Sequence, residues 1–518
     1  MMMKEKNWII GWLLIVLAAL SAVGVLVYRV DPFFHFHGPD LERYYYTLDN
    51  PRSQNDGICR HFDYDAMITG TSMTENFKTS EADRLFQKNF VKVIFVGGTY
   101  KEVNDNILRA LERNPNLKTV IRSLEIGHFY DPADAMRYDL GSYPDYLYDE
   151  NPFNDVKYLL NRDVLFGRVL PMLLAREKDG FRPGITTFDD YSWSMEGETF
   201  GINRVCPYGI ERNPPAEQAH LSEEDREAIR KNIALNVTDT ADRYPDVDFY
   251  CFYPPFSIDS WCYWNNQGVL QRELEAEAYA TELLIGHKNI HLYSFNDRTD
   301  IITDLNHYRD GFHYGSWVNS LILKWIREGT GLLTEENYRE RMAREAEFFT
   351  TFDYNSVAGQ EDYEADYYAG ALTNRELTGA EPFDVLAEGA VRELKLAEGE
   401  GRGFACEADL SAGYRYLVCD LDSAAAGETV TVRIRGEDGG TLLERSVVLS
   451  GSADTTGSAD DGNTAAGTMN SADTAGNLRR EVLDLSPYSG RVTVEFLLTI
   501  GDAAAGEGTS PIVNIVLY

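Results

Sequence analysis

The chain has little positive charge. Its 518 residues carry 48 lysines and arginines against 83 aspartates and glutamates, a formal net charge of −35. A nucleic-acid phosphate backbone needs a basic face, so that class of partner is excluded. A peripheral grip on anionic lipid is disfavoured for the same reason, although an integral anchor is not. Cysteine is scarce as well. Six cysteines in a chain of this length make no disulfide scaffold. Cys59, Cys206, Cys251 and Cys262 lack metal-ligand spacing and read as buried or incidental thiols, so no metal or other cofactor is expected. Cys406 and Cys419 flank Ser411-Ala412-Gly413. A hairpin centred there would set them opposite each other within bridging reach; strands of different sheets would leave two buried thiols.

What is present begins with an anchor. Trp8 to Tyr28 reads WIIGWLLIVLAALSAVGVLVY without a charge, enough to cross a bilayer core. The run is longer than a signal-peptide core, and Arg29-Val30-Asp31-Pro32 offers no small-residue cleavage site, which favours an uncleaved signal anchor. Lys4 and Lys6 before the span balance Arg29 and Arg43 after it, so charge alone does not orient it. The leading tail of a few residues points to an N-terminus inside the cytoplasm and a body outside.

The length allows two or three domains with full cores. Residues 1–29 form the tail and anchor. Over 30–345, strand-like runs alternate with helical stretches after an irregular lead-in from His35 to Arg60, which predicts a three-layer α/β domain on a parallel sheet. Its strands are read near Ala66–Ile68, Val91–Val96, Thr119–Ile126, Val247–Tyr253 and Asn289–Tyr293; an aromatic-rich insertion from Tyr130 to Glu217 holds a helix near Lys157–Ala175. Residues 346–384 are an acidic linker. From 385 to 518 a period-two pattern with Gly-rich turns predicts an all-β sandwich or jelly roll. It is interrupted by a low-complexity stretch, 450–477, whose composition predicts disorder.

The chemistry starts at Ile68-Thr69-Gly70-Thr71-Ser72. An apolar strand that stops at a glycine and passes into helix-compatible sequence lifts a serine hydroxyl onto the rim of a parallel sheet, where open α/β sheets do their chemistry. A serine hydroxyl needs a base. Asp310-Gly311-Phe312-His313 supplies His313, with Asp310 to fix its tautomer. Asp304 and His307 repeat the spacing six residues earlier and are the rival pair.

Three blocks carry a resemblance. Asp65 to Phe86 (DAMITGTSMTENFKTSEADRLF), Phe95 to Val103 (FVGGTYKEV) and Asp304 to Asn319 (DLNHYRDGFHYGSWVN) resemble, in order, the first, second and last blocks of the SGNH/GDSL hydrolase superfamily. The branch they look most like is the membrane-anchored one of DltD-like and alginate-acetylation-type proteins. The likeness runs from Arg29 to Gly329. The family pattern Asp-Leu-Asn-x-Tyr-x-Asp-x-x-His-Tyr ends on His313, which makes Asp304 a loop or capping residue, and the family topology agrees with a cytoplasmic N-terminus.

The resemblance implies catalysis by Ser72, Asp310 and His313 through an acyl-serine intermediate. Oxyanion donors would be the backbone N–H of Ser72 and the backbone at Gly98. The family's third donor, an asparagine after the third strand, is missing from Ser123-Leu124-Glu125-Ile126-Gly127-His128; Thr99 and Asn76 are candidate substitutes. Trp261, Tyr263 and Trp264 follow a strand end and either stack on sugar rings or fill a loop core. The expected function is an extracytoplasmic esterase or O-acyltransferase acting on a cell-surface glycan or wall polymer, with a membrane-bound O-acyltransferase as a candidate partner. The alternative is a catalytically weak scaffold that binds glycan or such a membrane partner.

Overall fold

A computed structural model describes residues 2–140, 143–178, 180–191, 200–210, 213–215 and 217–360, and the strands and adjoining residues between 383 and 517. The chain divides into two compact units. One comprises Met1–Ser192, Glu211–Ile302 and Trp325–Asn355; the other comprises Trp193–Ile210, Thr303–Lys324 and Ser356–Tyr518. Two stretches of the expected 30–345 domain, 193–210 and 303–324, therefore group with the C-terminal part.

The first unit is built on a parallel sheet of β1 (Ala66–Gly70), β2 (Phe90–Ile94), β3 (Thr119–Ser123), β4 (Asp248–Tyr253) and β5 (Ile290–Ser294). The order is β2-β1-β3-β4-β5, with Ala66 opposite both Phe90 and Thr119. All residues of β1, β2 and β3 are buried, which is why these strands read as continuous apolar runs rather than as alternation. The chain feeding them includes α1 (Met2–Val30), α2 (Pro51–His61), α3 (Thr79–Phe86) and α4 (Tyr100–Arg113). Helix α4 starts at a capping box in which Thr99 and Glu102 satisfy each other's backbone amides, and it buries Val103, Ile107, Ala110 and Leu111, one apolar face at helical spacing. Further on come α5 (Glu223–Ile233), α6 (Ile258–Asn266), α7 (Leu270–Leu284) and α9 (Tyr338–Thr351); α8 (Ser316–Glu328) runs from the second unit into the first. A π turn, Ala234–Thr238, continues α5 into Asp239–Arg243.

Helix α2 corrects the expectation of an irregular lead-in. Its residues, PRSQNDGICRH, are polar and poor helix formers, yet Gln54, Asn55 and Asp56 are buried. Tertiary bonds hold them: Gln54 takes the amides of Asp49 and Asn50 at 3.1 and 3.0 Å, and Asn55 donates to the Ile94 carbonyl at 2.6 Å. At Gly57 a side chain would run into the carbonyls of Phe33 and Phe34. The helix thus exists because the chain leaving α1 crosses directly over it, a contact no local pattern reveals. The single helix expected near Lys157–Ala175 is instead broken into Val156–Leu159, Arg162–Val164, a π turn at Leu165–Val169 and Leu170–Ala175.

The second unit contains two antiparallel sheets. β6 (Val391–Leu394), β7 (Arg402–Asp409), β9 (Glu428–Gly436), β10 (Thr441–Val448) and β12 (Arg491–Ile500) form one, in the order β10-β9-β12-β7-β6. The other includes β8 (Tyr416–Asp422), β11 (Leu478–Asp484) and β13 (Ile512–Leu517), with β8 between its two partners. Val430, Val432 and Ile434 are buried, as are Val492, Val494 and Phe496, the alternation expected of strands with one covered face. β7 and β8 lie in different sheets. Cys406 stands opposite Val494 and Val391, and Cys419 opposite Glu481 and Ile515, so the two do not face each other across a hairpin; Cys406 is a buried free thiol. Most of 450–477 lies outside the described residues, but Thr468–Met469 and Asp473–Thr474 pair with β11. Most of the acidic linker, 361–382, also lies outside them.

Candidate functional site

Ser72 follows the C-terminal end of β1 by two residues. In the order β2-β1-β3 the chain turns from one side of β1 to the other, and that strand end is the topological switch point where open sheets leave a crevice. The turn itself is fixed by Gly70, whose φ is +146°. A Cβ there would collide with Ser123 Oγ and sit 2.9 Å from a Thr74 methyl, so only glycine fits. Ser72–Thr74 then forms a 3₁₀ turn capped by Thr71, whose hydroxyl accepts the Met73 amide; the Glu75 amide donates to the Ser72 carbonyl at 3.2 Å. Ser72 is half-buried on this turn.

Lys92 supports the turn from below. It is fully buried in β2, and its ammonium donates to the carbonyls of Glu75 and Phe77 at 2.5 and 2.9 Å. Burial pulls its pKa down to about 8, against the opposing charge of Asp189. A cation clamped to two backbone oxygens just past the serine holds the turn in register.

In the second unit the Asp310–His313 pair is formed. His313 Nδ1 lies 2.8 and 3.0 Å from the two Asp310 oxygens, and Asp310 also accepts the amides of Phe312 and His313 at 2.9 and 2.8 Å. Burial alone would raise the Asp310 pKa, but the hydrogen bonds and charge of His313 outweigh it and bring the carboxyl to about 2. The loop is closed by a Tyr308–Tyr314 bridge and by the Arg309 amide on the His313 carbonyl at 3.0 Å. The rival pair is not formed in this way. Asp304 caps the turn Leu305–His307 by accepting from Asn306 at 3.0 and 2.9 Å, His307 Nε2 stands 3.9 Å from it, and His307 Nδ1 accepts from Trp317 Nε1 at 2.9 Å.

The expected oxyanion donors fare differently. The Gly98 amide donates to the Phe95 carbonyl at 2.6 Å, so it serves its own turn. The Thr99 hydroxyl caps α4 and donates to the Ala135 carbonyl at 2.6 Å. Asn76 is buried with its Oδ1 unpartnered. At the end of β3, Ser123 Oγ and both carboxylate oxygens of Glu125 are buried without hydrogen-bond partners. A buried polar atom without a partner costs free energy and calls for an explanation, a bound water being the simplest.

The same loop holds a pair that the sequence reading passed over. His128 Nδ1 lies 2.8 Å from Asp131 Oδ2. Burial lowers the imidazole pKa, but Asp131 and Glu125 reverse this, and it ends above its usual value. The signal was the spacing His-x-x-Asp, the mirror of Asp310-x-x-His313. Of the three aromatics proposed to meet sugars, Trp261 is fully buried and stacks on Phe349 at 3.7 Å, Trp264 packs edge-on against Trp261 at 4.9 Å, and Tyr263 is exposed. The first two are core residues.

No family model matches the chain, and no curated protein matches it. A solved structure similar to it is that of a Streptococcus pneumonia protein named as a platelet activating factor, at 13% identity, covering 54% of this chain and 90% of the other. Its TM-score is 0.27, too low a likeness to carry a functional conclusion.

Proposed function

We propose that this protein is an SGNH-type serine esterase or O-acyltransferase, held in a membrane by α1 with its body outside the cytoplasm, that acts on a cell-surface polysaccharide or wall polymer. The observation that carries the reading is Ser72 on a glycine-forced turn at the switch point of a 2-1-3-4-5 sheet, where the buried Ser123 Oγ closes against Gly70. Ser72 Oγ attacks an ester carbonyl, acetyl being the first choice of acyl group, while His313 Nε2 takes its proton and Asp310 holds the Nδ1–H. The alcohol leaves with that proton. Water or a polymer hydroxyl then attacks the acyl-serine and restores the enzyme. The Ser72 amide is one oxyanion donor; Asn76 and Ser123 are the side chains proposed to replace the missing asparagine.

A scaffold that binds glycan or a membrane-bound acyltransferase is the second reading. It is favoured by the prior engagement of the Gly98 amide and the Thr99 hydroxyl, since losing one donor costs about 10²- to 10³-fold in such sites. A serine-directed fluorophosphonate decides between them. The full chain in detergent should label at Ser72 and release chromophore from a short acyl ester, and Ser72→Ala and His313→Ala should each abolish both. Labelling that survives His313→Ala but is lost with His128→Ala would transfer the base to His128. A wild type that neither labels nor turns over would support the scaffold.

A further inference from the structure

The segment from Phe153 to Ala175 turns large apolar side chains outward. Phe153 is 88% exposed, Phe166 62% and Leu174 67%, with Val156 and Leu160 exposed beside them. The turn Leu170–Ala175, of sequence LPMLLA, has no buried residue at all. A helical turn that is apolar all round belongs in a core or in lipid, and an extended outward apolar surface marks an interaction site.

What adjoins it identifies the occupant. Among the described residues one helix, Asn7–Val30 within α1, is long and apolar enough to cross a membrane, and α1 packs against Val156–Leu159 and Leu165–Val169. The joint is fixed: Tyr158 donates to Asp31 at 2.8 Å and accepts the Phe33 amide at 3.1 Å, while His35 bonds Asp155 at 3.1 Å. The segment is therefore bonded and packed directly against the end of α1. Charge agrees. In a chain of net charge −35, Phe153 to Arg182 carries six basic residues against four acidic ones, and Arg176 and Lys178, just past the exposed turn, are themselves exposed. This local reversal of sign suits anionic headgroups.

We propose that Phe153–Ala175 is a second membrane element, lying in the interfacial layer beside α1 with its apolar side chains among the acyl chains and Arg176 and Lys178 at headgroup level. The inference rests on the reading of α1 as the anchor, and the experiment separates the two. The full-length chain, with the photoreactive p-benzoylphenylalanine replacing Trp12, Phe166, Leu174 or Tyr208 one at a time, is placed in nanodiscs of phosphatidylcholine and phosphatidylglycerol and irradiated. All four positions are exposed, so the replacements leave the core intact. The expected result is lipid adducts at positions 12, 166 and 174 and none at 208. Adducts at 12 without adducts at 166 and 174 would overturn the interfacial segment while keeping the anchor. Crosslinks from 166 or 174 to a second copy of the chain would overturn it in favour of self-association. No lipid adduct at 12 would overturn the anchor and the segment with it.

Discussion

At the scale of single residues, Gly70 is the position whose substitution is most informative about the serine turn. Alanine there combines a positive φ with a collision against Ser123. The backbone strain costs roughly 1–3 kcal/mol and overpacking roughly as much again. Gly70→Ala should lower the denaturant midpoint of the full chain and, because Ser72 is displaced, suppress phosphonate labelling even where the chain stays folded. Asp310 offers a cleaner separation of chemistry from folding. Asp310→Asn should leave the chain folded, with some loss of stability from the missing charge, and reduce turnover by about 10⁴-fold, since the imidazole loses the partner that sets its tautomer. Asp304→Asn should change little, because asparagine caps a helical turn about as well as aspartate. The reverse ranking would move the base to His307. The low pKa of Asp310 also sets a sign. Its folded value lies below the ordinary carboxyl value of about 3.9, so its contribution to stability is full above that pH and is lost only as pH falls toward 2. A decline in activity between pH 7 and 5 would then not belong to this carboxyl, and a pH–rate profile should show no ionisation from Asp310 above about pH 4.

At the scale of elements, Lys92 ties β2 to the residues just past the serine turn. Lys92→Met keeps the bulk but leaves the carbonyls of Glu75 and Phe77 without their donor, at about 1–3 kcal/mol for each buried group. The phosphonate labelling rate should fall with it. Helices α7 and α9 carry a different device. Glu277 accepts from Asn296 and Glu345 from Ser294, each at 2.9 Å, and both carboxyls are buried. Burial pushes both pKa values above the usual range, and the charge of Glu277 pushes Glu345 further; Asp297 adds to this and Arg341 opposes it. The folded state therefore holds protons that the unfolded state releases above about pH 4.3, so stability should fall as pH rises from there toward 8. Glu277→Gln should flatten the dependence of the melting temperature on pH over that window. An unchanged slope would remove the pair as its cause.

Elements also show what was legible. The five strands of the first unit could be read because burial on both sheet faces leaves a local pattern. The Asp310–His313 pair was visible as spacing, and its bond is present. Helix α2 was not legible, because its polar residues are held by backbone groups far away in sequence. The engagement of Gly98 and the burial of Trp261 were hidden for a related reason. A glycine before a helix and a tryptophan after a strand look the same whether they face a ligand or a neighbour, and only the Phe95 carbonyl and the Phe349 ring decide.

At the scale of the whole molecule, the low-complexity stretch can be cut. Thr468–Met469 and Asp473–Thr474 pair with β11, so a deletion confined to 451–467 should shift the melting temperature by little, loop closure depending only weakly on length. A deletion continued through 474 should cost more, because two short ladders go with it. Similar shifts for both deletions would show those ladders to be incidental.

The crossing over Gly57 has a consequence of another kind. The chain leaving α1 is bonded through Asp31 and Tyr158 and lies directly on α2, and α2 leads within a few residues into β1 and Ser72. Little slack remains along this path. With α1 seated across a bilayer, the serine stands on a post, at one height above the lipid, rather than on a leash. On the proposed function, a serine so mounted would work as a gauge, reaching the part of a surface polymer that passes at that height and leaving the more distant parts untouched.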